Sequence, residues 1–273
     1  MTKPCRPLAS GQVGDWIFRL AVTSTLAALG IFFAALLFSV AGATTASKFW
    51  QVLSGDEVRF AVKLSLFTAT LSTALAVLLA LPAAYALSRW NFPGKNLVDT
   101  LIDLPIVLSP VAIGAALMLF FNTWAGRLVE KDILAFVFQR PGLVLAQFTV
   151  VAALAVRLLK SAFDMVDPRY EQVGRVMGCT PFGAFAKVTL PLARPGILAA
   201  VILTWARAVG EFGASVTLAG ATAMKTETLP ISIYLSFATA DVGRAAAVVF
   251  VLVFVSGAAL LGVRLLSDKV FAK

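Results

Sequence analysis

Histidine is missing from all 273 residues. Its absence removes Ser-His and Cys-His nucleophilic pairs and any imidazole metal site. Cysteine is nearly as scarce: Cys5 and Cys179 are the only two, too few for a Cys-rich metal cluster or a disulfide framework. Charge is thin, with 14% Asp, Glu, Lys and Arg against about 25% in an ordinary soluble domain. A phosphate-binding loop of the form G-x-x-x-x-G-K-[ST] is also missing. The nearest stretch runs from Gly220 to Lys225-Thr226, with Lys225 standing where the second glycine belongs. The chain is therefore expected to carry no metal, no cofactor and no ATP hydrolysis of its own.

What fills the space is apolar. Hydrophobic residues make up 60% of the chain, and mean hydropathy is +0.91. A soluble chain of this size buries only about three quarters of the surface it exposes unfolded, too little to hide that content. The composition defines a polytopic membrane protein. The net charge of +9 then reads as basic loops facing anionic lipid and the cytoplasm, not as a nucleic-acid surface.

A membrane core of about 30 Å takes roughly 20 apolar residues per helix. The qualifying or near-qualifying stretches are about 17–43, 61–87, 104–122, 143–159, 196–219 and 245–266. The first has Lys3 and Arg6 ahead of it and Ala41-Gly42-Ala43 behind, like a cleavable signal. A signal's apolar region is only about 7–15 residues, so this stretch is expected to stay as a helix. Residues 229–240, which carry Pro230, suit an interfacial or re-entrant piece better than a span. Placing both ends in the cytoplasm puts nearly twice as many Lys and Arg inside as outside, as the positive-inside rule asks. The expected fold is an all-α polytopic membrane protein with six transmembrane helices and cytoplasmic termini. It forms a single transmembrane domain over 1–273, in which 17–43 is an extra N-terminal helix and 60–266 the core.

The segment 160–195 concentrates charge: Asp164, Asp167, Arg169, Glu171, Arg175, Lys187 and Arg194. Asp167-Pro168 has the form of an N-cap followed by a first-turn proline. The run to Met177 ends at Gly178, a C-cap residue. Thr180-Pro181 opens a second short helix to about Val188, ended by Leu190-Pro191. Two short helices outside the membrane are either a surface for a partner or an ordinary connection.

This segment resembles the "EAA" loop of ABC-importer permeases, whose pattern is EAA, three residues, Gly, nine residues, then Ile-x-Leu-Pro. Gln172-Val173-Gly174 stands at the triplet, Gly178 follows after three residues, and Val188-Thr189-Leu190-Pro191 after nine more. Gln replaces Glu and Val-Gly replaces Ala-Ala, while Glu171 sits one residue early, placed to supply the carboxylate. Asn91-Phe92-Pro93-Gly94-Lys95, the run from Asp103 to Pro110, and Arg207-Ala208-Val209-Gly210-Glu211-Phe212-Gly213-Ala214 resemble permeases for molybdate, tungstate and sulfate. The Phe-Gly-Ala ending leans toward the molybdate/tungstate branch.

The resemblance implies a type I importer fold in the cytoplasmic membrane of a prokaryote. It implies a homodimer of permeases, two cytoplasmic ATPase subunits and an extracytoplasmic oxyanion-binding protein. Glu171, Gln172, Gly174, Gly178, Pro181, Leu190 and Pro191 would form the lever that couples to the ATPase. Gly178 would allow the turn, Leu190 would bury an apolar foot, and Pro191 would fix the exit toward the fifth span.

Arg207 and Glu211 are i, i+4 neighbours within the fifth predicted span, and charge inside a membrane helix is functional by default. They either line an oxyanion path or latch helices together, with Gly210 and Gly213 allowing close helix approach. Ser109 and Pro110, with Pro105 and Gly114, mark a kinked third span that forms either a gate or ordinary packing. Ser109 and Thr149 are candidate polar contacts to substrate. An ion-coupled transporter would need carboxylates at depth, and Glu211 is the only acid well inside a span. An intramembrane enzyme would need a carboxylate dyad or a Ser-Lys pair, and none is evident.

Overall fold

In lipid every backbone amide must bond within its own segment, so apolar runs of this length fold as helices. The computed structural model describes residues 11–271, and side chains for residues 15–262; Lys3, Cys5, Arg6 and Lys273 lie outside the described residues. In chain order the helices are α1 (Gly11–Gly42), α2 (Ala46–Ser54), α3 (Asp56–Arg89), α4 (Lys95–Val107), α5 (Pro110–Asn122), α6 (Trp124–Asp132), α7 (Arg140–Asp164), α8 (Pro168–Val176) and α9 (Pro181–Ala184). A π-turn over Phe185–Thr189 leads into α10 (Leu190–Val209), followed by α11 (Gly213–Ala219), α12 (Leu229–Ala238) and α13 (Val242–Phe271). Among the described residues five helical stretches are long and apolar enough to cross a membrane, or six if the bent pair α4–α5 counts as one.

The centre is α3 against α7, joined by α10. Ala69, Ala76, Ala80 and Ala84 of α3 meet Val151, Ala155 and Leu159 of α7. Small side chains let the two backbones approach closely, the usual source of helix association in lipid. α1 stands apart: the apolar window within it is entirely unburied, and its main contact is with α13. α12 has ten residues, about 15 Å of helix, too short to cross. It packs on α13 and α3, where Ser65 Oγ accepts the Leu229 N–H at 2.7 Å.

Charges collect in two bands. At one end Lys48 pairs with Asp241 at 2.7 Å and Arg244 with Glu57 at 2.6 Å. At the other, Arg157 pairs with Asp99 and Asp103, Lys160 with Asp164, and Arg89 with Glu171. Glu57 and Arg89 mark opposite ends of α3, about 48 Å apart at 1.5 Å per residue. That separation matches a bilayer with its headgroups, about 40–45 Å, and explains why so little charge lies between.

Three predicted elements change. The third span is not one kinked helix: α4 and α5 meet at 111°. Pro110 disfavours a helical conformation at Ser109 and has no N–H to continue the ladder, and the Ser109 hydroxyl caps α5 by accepting the Ala112 N–H at 3.3 Å. The fifth span also breaks, between Val209 and Gly213. The second loop helix does not stop at Leu190-Pro191; it runs into α10 through the π-turn. A proline ring clashes with the carbonyl four residues back. The wider π-turn, which falls where such insertions commonly absorb a local misfit, carries the chain past Pro191 without a break.

Candidate functional site

The elbow between α7 and α10 is built from local capping. Asp167 Oδ1 accepts the Arg169 N–H at 2.8 Å, and Thr180 Oγ1 accepts the Gly183 N–H at 3.0 Å. Between them Gly178 has φ +93°, a left-handed conformation that a Cβ makes costly. No atom lies within 4 Å of a Cβ built there, so backbone geometry alone demands glycine. Gly174 is different. It is buried, and a Cβ on it would stand 3.3 Å from Val188 Cγ2. The third position of the triplet is small because α8 lies directly on the π-turn.

Glu171 turns inward. Its Oε1 accepts from Arg89 Nε at 2.8 Å and from Thr189 Oγ1 at 2.6 Å, and its Oε2 accepts from the Tyr85 hydroxyl at 2.9 Å. Arg89 also donates to the Val166 carbonyl at 2.8 Å. Burial alone would raise the Glu171 carboxyl, but the bonds from Thr189, Arg89 and Tyr85 outweigh it and hold the group below its ordinary value. The carboxylate thus ties α8 to the end of α3 and to the start of α10. Gln172 is exposed beside it, Pro181 and Pro191 are exposed, and Leu190 is half-buried.

Beside the exposed charges of Arg169 and Arg175 the elbow presents an apolar patch. Val176 is 88% exposed and Met177 81%, with Tyr170, Val173 and Phe182 open beside them. Neither this patch nor the roles of Tyr85, Arg89 and Thr189 was read from the sequence. The exposed patch had a signal, since apolar residues in a charged segment outside the spans are unusual. The three clamp residues had none, because their partner lies far away in the chain.

The second constellation surrounds the broken fifth span. Arg207 Nη1 lies 2.7 Å from Glu211 Oε2; the Arg207 side chain is 38% exposed and that of Glu211 1%. Glu211 is not on the helix with Arg207 but in the break after it. Its second oxygen, Oε1, accepts the Ala214 N–H at 3.0 Å and so caps α11. The two breaks in the chain meet here. A Cβ on Gly213 would lie 3.0 Å from Pro110 Cβ and from the Val111 nitrogen, and one on Gly114 would lie 2.7 Å from Thr217 Cβ. The structure therefore brings Pro110 beside the Glu211 loop, two short helices pressed together through glycine. Gly210 has no such role: it is exposed, and the nearest atom to a Cβ there is 3.8 Å away. Thr149 bonds back to the Leu145 carbonyl at 2.8 Å.

A bundle bounded by two charge bands, with a rigid elbow outside and one ion pair at paired helix breaks inside, has the build of a multi-pass transport component. The chain belongs to the family of binding-protein-dependent transport system inner membrane components, which residues 72–271 match. It is 39% identical over 236 residues to a probable molybdenum ABC transporter permease protein of Haloferax volcanii, covering 86% of this chain and 84% of that one. It is 36% identical over 251 residues to the molybdenum transport system permease protein ModB of Mycobacterium tuberculosis, covering 91% and 92%. The sulfate transport system permease protein CysT of Escherichia coli is 29% identical over 225 residues, covering 82% and 81%. The fold is shared with a chain of a bacterial alginate ABC transporter solved with its alginate-bound periplasmic protein. That match has a TM-score of 0.76 at 18% identity and covers 97% of this chain and 98% of that one. The chain is a non-catalytic permease subunit of the inner membrane.

Proposed function

We propose that this permease forms the path for molybdate or tungstate in an ATP-driven importer. It works as a homodimer with two cytoplasmic ATPase subunits and an extracytoplasmic oxyanion-binding protein, with both termini in the cytoplasm. The observation that carries the substrate class is the similarity to molybdenum permeases at 36–39% identity over most of the chain. Arg207 supports it chemically. A guanidinium presents a planar fork of donors suited to an oxyanion, and this one lies between the charge bands, partly open. Glu211 neutralises it in part, which keeps a passing anion from being trapped.

The elbow serves as the lever. Its exposed apolar face, from Tyr170 to Phe182, is the surface for an ATPase groove. Closure of the ATPases then moves α8 as a rigid body. The Glu171 clamp passes that motion to α3, and the π-turn passes it to α10. Pro110 and Ser109, at the matching break, sit where a small shift of α11 would be felt and form part of the gate.

Sulfate is the second reading, favoured by the 29% identity to the sulfate permease CysT. The test is uptake into proteoliposomes holding permease and ATPase, with binding protein and ATP supplied on the correct sides. Molybdate and tungstate uptake that excess sulfate does not suppress supports the proposal. Sulfate uptake alone moves the assignment to the sulfate branch. Uptake that persists without the ATPase overturns the importer reading altogether.

A further inference from the structure

Between the end of α3 and the near face of α8 and α9 lies an open groove of about 810 Å³. Its chemistry changes along its length. Along α3 its wall runs from Leu78, Leu81 and Pro82 to the rings of Tyr85 and Trp90, and Arg175 of α8 lines it as well. The rise from Leu78 to Arg89 is about 16 Å of helix, close to half of the roughly 30 Å hydrocarbon core. The apolar wall therefore lies at acyl-chain depth when the arginines stand at the membrane surface. Tyr85 and Trp90 fall at the interface, the level amphipathic rings prefer.

Arg175 is the available cation. Arg89 is committed to Glu171 and the Val166 carbonyl, whereas Arg175 is exposed and has no ion pair or side-chain hydrogen bond among the described residues. Pro168, Glu171, Gln172 and Arg175 share one helical face by their spacing, and all four line the groove. Tyr170, Val173, Val176 and Met177 do not, so of the apolar face left for the ATPase the groove shares only Phe182.

We propose that the groove holds one anionic phospholipid, its phosphate on Arg175 and an acyl chain along Leu78 and Leu81. Charge complementarity selects an anionic headgroup, and the apolar wall selects a lipid over free phosphate. The inference rests on the reading of the elbow as cytoplasmic, on the leaflet side where basic pockets between membrane helices take anionic headgroups. A lipid seated there wedges the end of α3 against α8 beside the Glu171 clamp, so lipid composition acts on the lever itself.

The test is native mass spectrometry of the intact transporter, permease with ATPase, released from nanodiscs containing equal phosphatidylglycerol and phosphatidylcholine. Phosphatidylglycerol is expected to be retained preferentially. Arg175→Gln should lower its retention about five-fold, the worth of one basic contact at a membrane surface. Leu78→Trp, which fills the apolar end, should lower retention of both lipids while the ATPase still co-purifies. Equal retention of the two lipids, unchanged retention in Arg175→Gln, or displacement by millimolar inorganic phosphate overturns the proposal. The orientation is read separately: an impermeant thiol reagent that labels Arg175→Cys from outside intact cells overturns the cytoplasmic placement, whatever the lipid result.

Discussion

The Glu171 carboxylate accepts a hydrogen bond from Arg89 Nε at 2.8 Å, joining the elbow to the end of the central helix α3. Both side chains are largely hidden, 13% and 8% exposed. Removing one partner of such a pair strands the other, which costs several kcal/mol, about 3–5 in fully buried cases. Glu171→Gln is therefore expected to lower the thermal midpoint of the purified permease and to cut ATP-driven uptake at least ten-fold. The double variant Glu171→Leu with Arg89→Met should restore the midpoint more than the uptake, since apolar packing replaces the stability but not the register of the clamp. Equal loss of both properties in single and double variants would sink the lever role.

The same carboxyl gives a pH signature. Its folded value lies below the ordinary one, so its contribution is fully present above the unfolded glutamate value of about 4.3 and is lost as pH falls through the folded value. Thermal stability in detergent should show no Glu171-dependent change near neutrality and an acid-side loss that Glu171→Gln flattens. A Glu171-dependent step between pH 6 and 8 contradicts the clamp.

Gly178 is held by its φ of +93° and not by crowding. Substitutions should therefore rank by tolerance of the left-handed region and not by size. Asn, which visits that region more readily, should retain more uptake than Ala, and Ala more than Val. The strain is about 1–2 kcal/mol for a residue with a Cβ. Membrane insertion should be unaffected throughout. Uptake that ranks by side-chain volume, with Ala best, would point to packing instead.

Gly114 offers the opposite case. A Cβ there would meet Ala214 O at 2.8 Å and Thr217 Cβ at 2.7 Å, and neither can swing away as a flexible tip could. Gly114→Ala should force α5 and α11 apart and destabilise by about 1–3 kcal/mol, the usual range for overpacking. Gly257→Ala, with nothing within 4 Å, is the control and should leave the melting midpoint unchanged.

These cases mark what the linear chain reveals. Asp167, Gly178 and Thr180 were legible because capping and left-handed turns are decided within three or four residues. The broken span at Ser109-Pro110 was half legible: a proline in an apolar run signals distortion, but whether the helix bends or ends depends on Ser109 capping the next one. The fifth span looked continuous because apolar content says nothing of the three residues at Gly210–Phe212 that leave the helix. In sequence Glu171 reads as a displaced carboxylate standing for the triplet's glutamate. Its partner Arg89 lies 82 residues away, a distance at which pattern carries no information. Burial decides its direction, and burial is a property of the assembled bundle.

The Arg207–Glu211 pair separates a path from a latch. Glu211 performs two tasks with two oxygens: one faces Arg207 at 2.7 Å and the other caps α11 through Ala214. Glu211→Gln keeps a carbonyl oxygen for the cap and removes the charge beside Arg207. If Arg207 touches the passing anion, it becomes a stronger trap: half-saturation of uptake should fall while the maximal rate falls with it, because release is slowed. Arg207→Lys keeps the charge but loses the fork, and should change the ratio of molybdate to tungstate uptake while the ATPase still assembles. A latch predicts otherwise. Breaking it should alter the basal ATPase rate of the reconstituted transporter and leave both the half-saturation and the anion ratio where they were. Uptake kinetics with the two anions, run alongside ATP turnover on the same vesicles, decide between them, since only a side chain in the path can shift selectivity without shifting assembly.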